Sequence, residues 1–306
     1  PWNGDYMKKK LIILTGPTAV GKTDLSIRLA RTVGGEIISA DSMQVYRRMD
    51  IGTAKIRPEE MEGVRHHLID ILEPTESFNA FLFKEYALKA ANEIWERGSI
   101  PIIVGGTGFY IQTLLYDIEF AKSDENDGIR DELNKLYEEH GAAFLHDMLA
   151  KADPEYAAEV HENNVKKVIR AIEFYRQTGH KLSEHNTEQR ERTSPYNFEY
   201  FVLSDDRAVL YERIDKRIDK MVEAGLIAEV QALLDEGVDR ESVAMQGLGY
   251  KEIASYLAGE ISLDEAIYIL KRDTRHFAKR QLTWFRREKD VDFVELDKSG
   301  SREAAL

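Results

Sequence analysis

Gly16, Gly21, Lys22 and Thr23 stand in "GPTAVGKT" at the spacing G-x-x-x-x-G-K-T. Residues of these types at this spacing handle phosphate. The glycines let backbone N–H groups converge on an anion, and a helix starting at the end of the loop adds its dipole. Lys22 would neutralise non-bridging oxygens, and the Thr23 hydroxyl would hold a Mg²⁺ bridging two phosphates. The pattern is the nucleotide-binding, ATP-type signature, yet by itself it says only that a polyphosphate binds.

The context is the one the motif requires. "LIILTG" (11–16) is a short apolar run, and "DLSIRLARTV" continues with helical period, giving strand, tight loop and helix. "EIISAD" reads as a second strand ending at Asp41, and "HHLIDI" as a third apolar run. Between them "SMQVYRRMDIGTAKIRPEE" has neither period and reads as a long functional loop or lid. Ser77 is the expected N-cap of the helix "FNAFLFKEYALKAANEIWER", which Gly98 closes; "IPIIV" is a buried strand running into "GGTGFY". Alternating strands and helices imply a parallel sheet covered on both faces.

From about Ala121 to residue 194 the sequence is charged, helical in period and without a convincing strand. "NFEYFVLSD" returns to the sheet, long helices follow to about Lys289, and "VDFVEL" offers a last strand. The expected fold is therefore α/β: a doubly wound parallel-sheet P-loop core (7–120 and 195–306) with a mainly helical insertion domain (121–194). Met7 before three lysines reads as the natural start, with "PWNGDY" as an added leader.

No run is long and apolar enough to cross a membrane, and no signal peptide is evident, so a cytoplasmic protein with no membrane partner is expected. The chain has no cysteine, which removes disulfides and thiolate metal sites. The histidines lack the helical spacing of paired metal ligands; His66 and His67 would point to opposite faces of a strand. A net charge of −13 argues against a nucleic-acid partner when taken alone. The bases are clustered, however: "KRDTRHFAKRQLTWFRREK" (271–289) sets eight Lys and Arg against two acids, an excess of six positive charges.

No apolar strand ends in an isolated Asp of the kind that positions Mg²⁺ in ATPases; Asp70 in "HLID" is the nearest candidate. Asp41 is the most suggestive acid. Strand ends are where open α/β sheets place ligands, so its carboxylate can accept a proton from an attacking nucleophile or simply cap the turn that follows.

Taken together, "GPTAVGKT", "ISADSMQVYRRMDIGTAK", "HHLIDI", "GGTGFYIQTLL", "MQGLGYKEI" and "AKRQLTWFRR", in order from about Lys10 to Arg287, resemble the bacterial tRNA dimethylallyltransferase (isopentenyl-tRNA transferase) family. The resemblance implies that the cradle holds the diphosphate of dimethylallyl diphosphate through Gly16, Thr18, Ala19, Gly21, Lys22 and Thr23, with Mg²⁺ on Thr23. The prenyl group would pass to N6 of adenosine 37 in tRNAs reading codons that begin with U. Asp41 would take the N6 proton. Thr107 would support the adenosine or the diphosphate, and an Arg from "LYERIDKRIDKM" would meet the leaving group, with the family pattern favouring Arg217 over Arg213.

The resemblance also assigns a tRNA surface to Asp41, Ser42, Met43 and Gln44, to Lys166, Lys167 and Arg170 of the insertion, to Gln246 and Gly247, and to Arg275, Lys279, Arg280, Gln281, Thr283, Trp284 and Arg286. Gln44 carries the amide for an adenine edge, and Met43 and Tyr46 would pack on splayed bases. Arg272, Arg275, Lys279 and Arg286 recur at helical spacing, with Phe277, Leu282 and Phe285 inward. Such a stripe suits the phosphates of the anticodon stem. Departures from the family pattern are Glu162 where Pro is usual, Lys167 where Arg is usual, which loses the planar fork, and a longer spacing from Lys55 to Pro58. Relatives with a C-terminal zinc finger differ from this cysteine-free chain. The expected partners are dimethylallyl diphosphate and a tRNA anticodon stem-loop, wrapped by a monomer. The alternatives are a small-molecule or nucleotide kinase that uses Asp41 to activate a hydroxyl toward ATP, and a non-catalytic RNA-binding module switched by phosphate.

Overall fold

The computed structural model describes residues 8–120 and 128–296, which form two compact units: residues up to Leu115 with those from Pro195 onward, and Tyr116–Ser194. The expected start at Met7, the segment before it and the boundary at Ala121 lie outside the described residues.

The first unit opens with β1 (Lys10–Thr15), α1 (Lys22–Val33), β2 (Gly35–Ser39), β3 (His66–His67), α2 (Ala80–Glu96), β4 (Ile100–Gly105) and α3 (Gly108–Leu115). The second unit is helical: α4 (Ile129–His140), α5 (Ala142–Ala152), α6 (Pro154–Glu159), α7 (Val165–Thr178) and α8 (Leu182–Glu191). The chain then returns with β5 (Asn197–Ser204), α9 (Arg207–Glu223), α10 (Leu226–Asp235), α11 (Tyr250–Leu257), α12 (Leu263–Phe285) and β6 (Asp292–Glu295).

The six strands form one sheet in the order β3-β2-β4-β1-β5-β6, and every pairing is parallel. Strand β1 is central, with Ile12 opposite Ile102 of β4 and Leu14 opposite Phe201 of β5. Leu11 to Thr15 are all buried, the continuous burial that a strand covered on both faces requires. On one face Ile12 packs with Ile27 and Ala30 of α1, and Leu14 packs with Val20 and Leu25, so α1 is seated directly over the strand that launches it.

Three local expectations are corrected. Strand β2 stops at Ser39, leaving Ala40 and Asp41 just beyond the sheet, and β4 lies between β2 and β1. The run "HHLIDI" gives only the two residues of β3, because Leu68 and Asp70 take positive φ values of 65° and 54° and turn the chain away. Helix α2 is capped by Asn79, whose side chain accepts from the Leu82 N–H, and not by Ser77. Gly98 follows α2 in the left-handed conformation, φ 72°.

The long segment between β2 and α2 is tied down. Lys55 is buried; its ammonium donates to the Tyr46 carbonyl and to the carboxylates of Asp50 and Asp70. From the other side, the Glu229 carboxylate of α10 accepts the N–H groups of Asp50, Ile51 and Gly52 and the Tyr250 hydroxyl. A buried lysine is tolerated only when so partnered.

The helical unit has its own core of Leu133, Leu145, Leu149, Val168 and Ile172. Asp153, fully buried, caps α6 through the Tyr156 N–H and binds both the N–H and the hydroxyl of Ser183. Arg192 joins Glu119 at 2.7 Å, and Glu119 N–H donates to Gln189, which is why this unit takes in Tyr116 to Phe120.

Candidate active site

The loop after β1 has the shape its sequence demands. Gly16 has φ 150°, and a Cβ there would lie 2.6 Å from the Leu203 carbonyl; Gly21 has φ 105° and forms the start of α1. Even Ala19 is left-handed, φ 65°. Thr15 is buried and its hydroxyl donates to the Gly105 carbonyl, joining the ends of β1 and β4. Lys22 Nζ folds over the loop and donates to the carbonyls of Gly16 and Pro17, both at 2.8 Å. Burial, then the positive charge of Arg217, lowers the Lys22 ammonium from 10.5 to about 7, and the negative charge of Asp41 works against them. Lys22, Arg217 and Asp41 therefore share one electrostatic site, although they come from α1, α9 and the end of β2.

Arg213 and Arg217 are now distinguishable. Arg213 is committed to Asp205 at 2.8 Å. Arg217 enters no ion pair among the described residues, and although it keeps solvent contact, surrounding protein desolvates it and lowers its pKa. A cation left without a counter-ion beside a second cation has the charge to receive an anion.

Asp41 caps the turn, as one of its two readings expects. One carboxylate oxygen, Oδ1, accepts from the N–H groups of Met43 at 2.7 Å and Gln44 at 3.1 Å, fixing the turn. Among the described residues Oδ2 enters no such bond, so the capping holds the group still and leaves one oxygen uncommitted. Behind it lie Tyr46 and Tyr110. The Tyr110 ring stacks on Phe83 at 4.9 Å and meets Phe78 edge-on at 5.7 Å. Burial raises the Tyr110 phenol, with Tyr46 and Asp41 adding to it, and burial pushes the Tyr46 phenol up to about 12. Tyr46 is fully buried, so it does not stack on splayed bases as expected.

Thr107 stands just before α3, and its N–H donates to the Ala40 carbonyl at 3.3 Å, beside Asp41. Met43 packs against Gly247, where an added Cβ would lie 2.3 Å from the Met43 methyl. Gln44 is half-buried, with its amide nitrogen donating to the Thr53 carbonyl at 3.1 Å. Ser42 is half-buried in the same turn, and Gln246 is exposed, with its amide on the Arg240 carbonyl.

Asp70 does not serve as a metal-positioning acid, because it is paired with Lys55. Among the described residues no three His, Asp or Glu side chains gather to hold a metal. Thr23 is exposed at the first turn of α1. One hydroxyl and no carboxylate cluster is the donor set suited to a Mg²⁺ that takes its remaining ligands from phosphate and water. His66 bonds to the Val64 carbonyl, His67 to Glu36, and His146 to the carbonyls of Ala157 and Val160, all structural uses.

Helix α12 carries the basic stretch, and the structure sorts its residues. Lys279, Arg280, Thr283, Trp284 and Arg286 are exposed, and the first four line an open recess with His276 and Arg287. Arg275 is bound to Asp215 at 2.8 Å and Arg272 to Asp273, so these two are already neutralised. The inward row is Leu270, Ala278, Gln281 and Phe285, while Phe277 and Leu282 are half-buried. Gln281 is thus corrected: it is 7% exposed and faces the core, where Oε1 accepts the Thr18 N–H at 2.9 Å and Nε2 donates to the Gly106 carbonyl at 3.0 Å. The Thr18 N–H is in turn withdrawn from the cradle. In the helical unit, Lys166, Lys167 and Arg170 are exposed on α7, opposite its buried Val168 and Ile169.

Tyr110, Glu229 and the anchoring role of Lys55 escaped the sequence reading. Tyr110 sits inside the quoted "GGTGFY", and Lys55 inside "DIGTAK", whereas nothing marks Glu229 among the acids of an ordinary amphipathic helix.

Comparison with known proteins places this geometry. A tRNA dimethylallyltransferase of Lachnoclostridium phytofermentans is 61% identical over 281 residues, 92% of this chain and 90% of its own. One from Carboxydothermus hydrogenoformans is 52% identical, over 95% of this chain and 94% of its own. The crystal structure of a tRNA isopentenylpyrophosphate transferase from Bacillus halodurans superposes with a TM-score of 0.71 at 47% identity, covering 94% of this chain and 90% of that one. A eukaryotic dimethylallyltransferase captured acting on tRNA gives 0.82 at 32% identity, covering 94% and 74%. The family model described as IPP transferase matches residues 44–288, and on that match and these identities the chain belongs to the IPP transferase family.

Proposed function

We propose that this protein transfers the dimethylallyl group of dimethylallyl diphosphate to N6 of adenosine 37, beside the anticodon, in tRNAs reading codons that begin with U. The observation that carries the reading is that Lys22, folded over the phosphate loop, feels the charges of both Arg217 and Asp41. Family membership supplies the substrate class.

The chemistry follows from what these groups can do. An N6–C1 bond forms as the C1–O bond to the diphosphate breaks, and the leaving group departs with the electron pair. Amides from Ala19 to Thr23, with Lys22 and Arg217, stabilise the charge that develops on the bridging oxygen. Adenine N6 is a weak nucleophile because its lone pair is delocalised into the ring. Asp41, held by the N–H groups of Met43 and Gln44, accepts its proton through the remaining oxygen. Thr107, whose N–H is bonded to the Ala40 carbonyl beside Asp41, would support the adenosine or the diphosphate through its hydroxyl. Bound through Thr23, a Mg²⁺ supplies charge neutralisation of the diphosphate.

The exposed bases Lys279, Arg280 and Arg286, with Trp284, form the stem-binding surface on α12. Lys166, Lys167 and Arg170 form a second basic surface on the helical unit. The protein acts in the cytoplasm as a monomer. A kinase reading is weakened by Asp70, the nearest acid for a nucleotide-bound metal, being taken by Lys55.

The test is incubation with Mg²⁺, dimethylallyl diphosphate and an unmodified UUN-reading tRNA, followed by digestion and mass spectrometry of the nucleosides. An adenosine heavier by one dimethylallyl group is expected at position 37. Unmodified RNA, with ATP consumed when offered instead, overturns the reading.

A further inference from the structure

Gln281 is an amide in the otherwise apolar inward row of α12. Burying an amide is unfavourable unless its donor and acceptor are both used. Here both are used, and on two separate pieces of the site: the acceptor holds the Thr18 N–H of the phosphate loop at 2.9 Å, and the donor holds the Gly106 carbonyl at 3.0 Å. The fit is close, since a Cβ on Gly106 would lie 2.1 Å from Gln281 Nε2. Gly106 leads directly into Thr107, whose N–H is tied to the Ala40 carbonyl beside Asp41. Of the residues flanking Gln281 on the same helix, Lys279, Arg280 and Thr283 line the exposed basic recess, and Trp284 borders it while its ring packs against Gly108 and Phe109.

We infer that Gln281 is a positioning residue that couples RNA seated on the outer face of α12 to the diphosphate cradle on its inner face. The inference rests on the prenyl-transfer reading. A helix moves as a rigid rod, so a load on its outer face is delivered to Gln281, which touches both the phosphate loop and the turn leading to Thr107. RNA that settles α12 stabilises the Thr18 and Gly106 bonds, which fix the loop in its anion-binding shape. By reciprocity, a diphosphate in the loop must tighten RNA binding by the same factor.

The test measures the affinity for inorganic diphosphate with Mg²⁺, with and without the anticodon stem-loop of a UUN-reading tRNA, and the KM and kcat for dimethylallyl diphosphate. In the wild type the stem-loop is expected to tighten diphosphate binding at least about fivefold. In Gln281→Met, which keeps the volume and removes both hydrogen bonds, that enhancement should vanish and the KM for dimethylallyl diphosphate should rise about tenfold. Affinity for the stem-loop alone should stay within about twofold, because the outer face is untouched. Gly106→Ala, which displaces the Gln281 amide, should reproduce the pattern and serves as the independent variant if Gln281→Met does not fold.

Enhancement and KM unchanged in both variants overturn the inference, as does a loss confined to the affinity for the stem-loop alone. A wild type that leaves RNA unmodified sinks the prenyl-transfer reading and this inference with it. A wild type that modifies RNA, with an unaltered Gln281→Met, sinks this inference alone.

Discussion

Binding of the diphosphate should be accompanied by proton uptake at Lys22. In the free protein, burial and Arg217 hold this ammonium near pH 7, against 10.5 for an ordinary lysine. Lys22 is therefore about 0.5 deprotonated at pH 7 and about 0.9 deprotonated at pH 8. A diphosphate brings negative charge to the ammonium and returns its pKa to well above 8. Complex formation with dimethylallyl diphosphate at pH 8, where this diphosphate ester is fully ionised, then takes up about 0.9 of a proton. Affinity falls by up to about tenfold per pH unit above 7, until the pKa of the complex is reached.

The stability of the free protein has the opposite sign. Between pH 7 and 10.5 the unfolded chain holds a Lys22 proton that the folded chain lacks, so stability rises with pH there, by at most about 1.4 kcal/mol per unit. The assay is calorimetry of dimethylallyl diphosphate binding, without RNA and with Mg²⁺, at pH 8 in two buffers of different ionisation enthalpy. The difference in apparent heat counts the protons. Lys22→Met should bind weakly and show no uptake in competition or at high ligand concentration. Zero uptake by the wild type, or equal uptake by the variant, refutes the argument that Lys22 is the desolvated cation of the cradle.

Asp41→Asn keeps an oxygen to cap the Met43 and Gln44 N–H groups but cannot accept the N6 proton. Single-turnover transfer should fall about 10²- to 10⁴-fold with RNA affinity intact, and loss of RNA binding would leave Asp41 only its turn-capping role. RNA affinity should drop steeply with salt, and Lys279→Ala or Arg286→Ala should each reduce the log–log slope by about one. Arg275→Ala, whose partner is Asp215, should leave the slope nearly unchanged and lower the melting temperature instead. Burial raises Glu288, at the end of the basic stretch, to about 7, opposed by a bond from Trp284. RNA affinity should therefore rise as pH falls through 7, and Glu288→Gln, titrated by fluorescence anisotropy, should flatten that rise.

The elements most legible in the sequence were those with a single physical cause. Five buried residues in a row followed by a glycine-rich turn allow little but β1, the phosphate loop and α1. The helical unit was equally legible, because apolar residues recur four apart within its helices, as Leu145 and Leu149 or Val168 and Ile172 do, and no β-branched run competes. What stayed hidden depends on tertiary partners. The insertion of β4 between β1 and β2 is invisible locally, as is the fate of "HHLIDI", cut short by positive φ at Leu68 and Asp70 where Lys55 draws in the Asp70 carboxylate. Charge on α12 was visible as a total, but which bases are spent depends on acids of α9 some sixty positions away, as Arg275 and Asp215 show. Gln281 looked like one more polar residue of a basic helix, because helical period alone does not separate a buried, satisfied amide from an exposed one.

The motifs shared with the family owe much of their spelling to mutual contact. An added Cβ on Gly108 would lie 2.2 Å from the Trp284 ring, one on Gly106 2.1 Å from Gln281, and one on Gly247 2.3 Å from Met43. Glycine is required at these three by a side chain arriving from another motif, whereas at Gly34, Gly98 and Gly179 it is required by left-handed turns with open space around them. "GGTGFY" therefore fits "RQLTW", and "DSMQ" fits "MQGLG", each motif leaving a slot that the other fills. In both pairings one member lies at the strand ends beside Asp41 and the other in the α11–α12 region, which bears the exposed basic recess. A phosphate loop needs only a strand, a turn and a helix. Joining it to the exposed basic recess needs the C-terminal helices pressed against the strand ends without an intervening layer, and the missing Cβ atoms allow that approach.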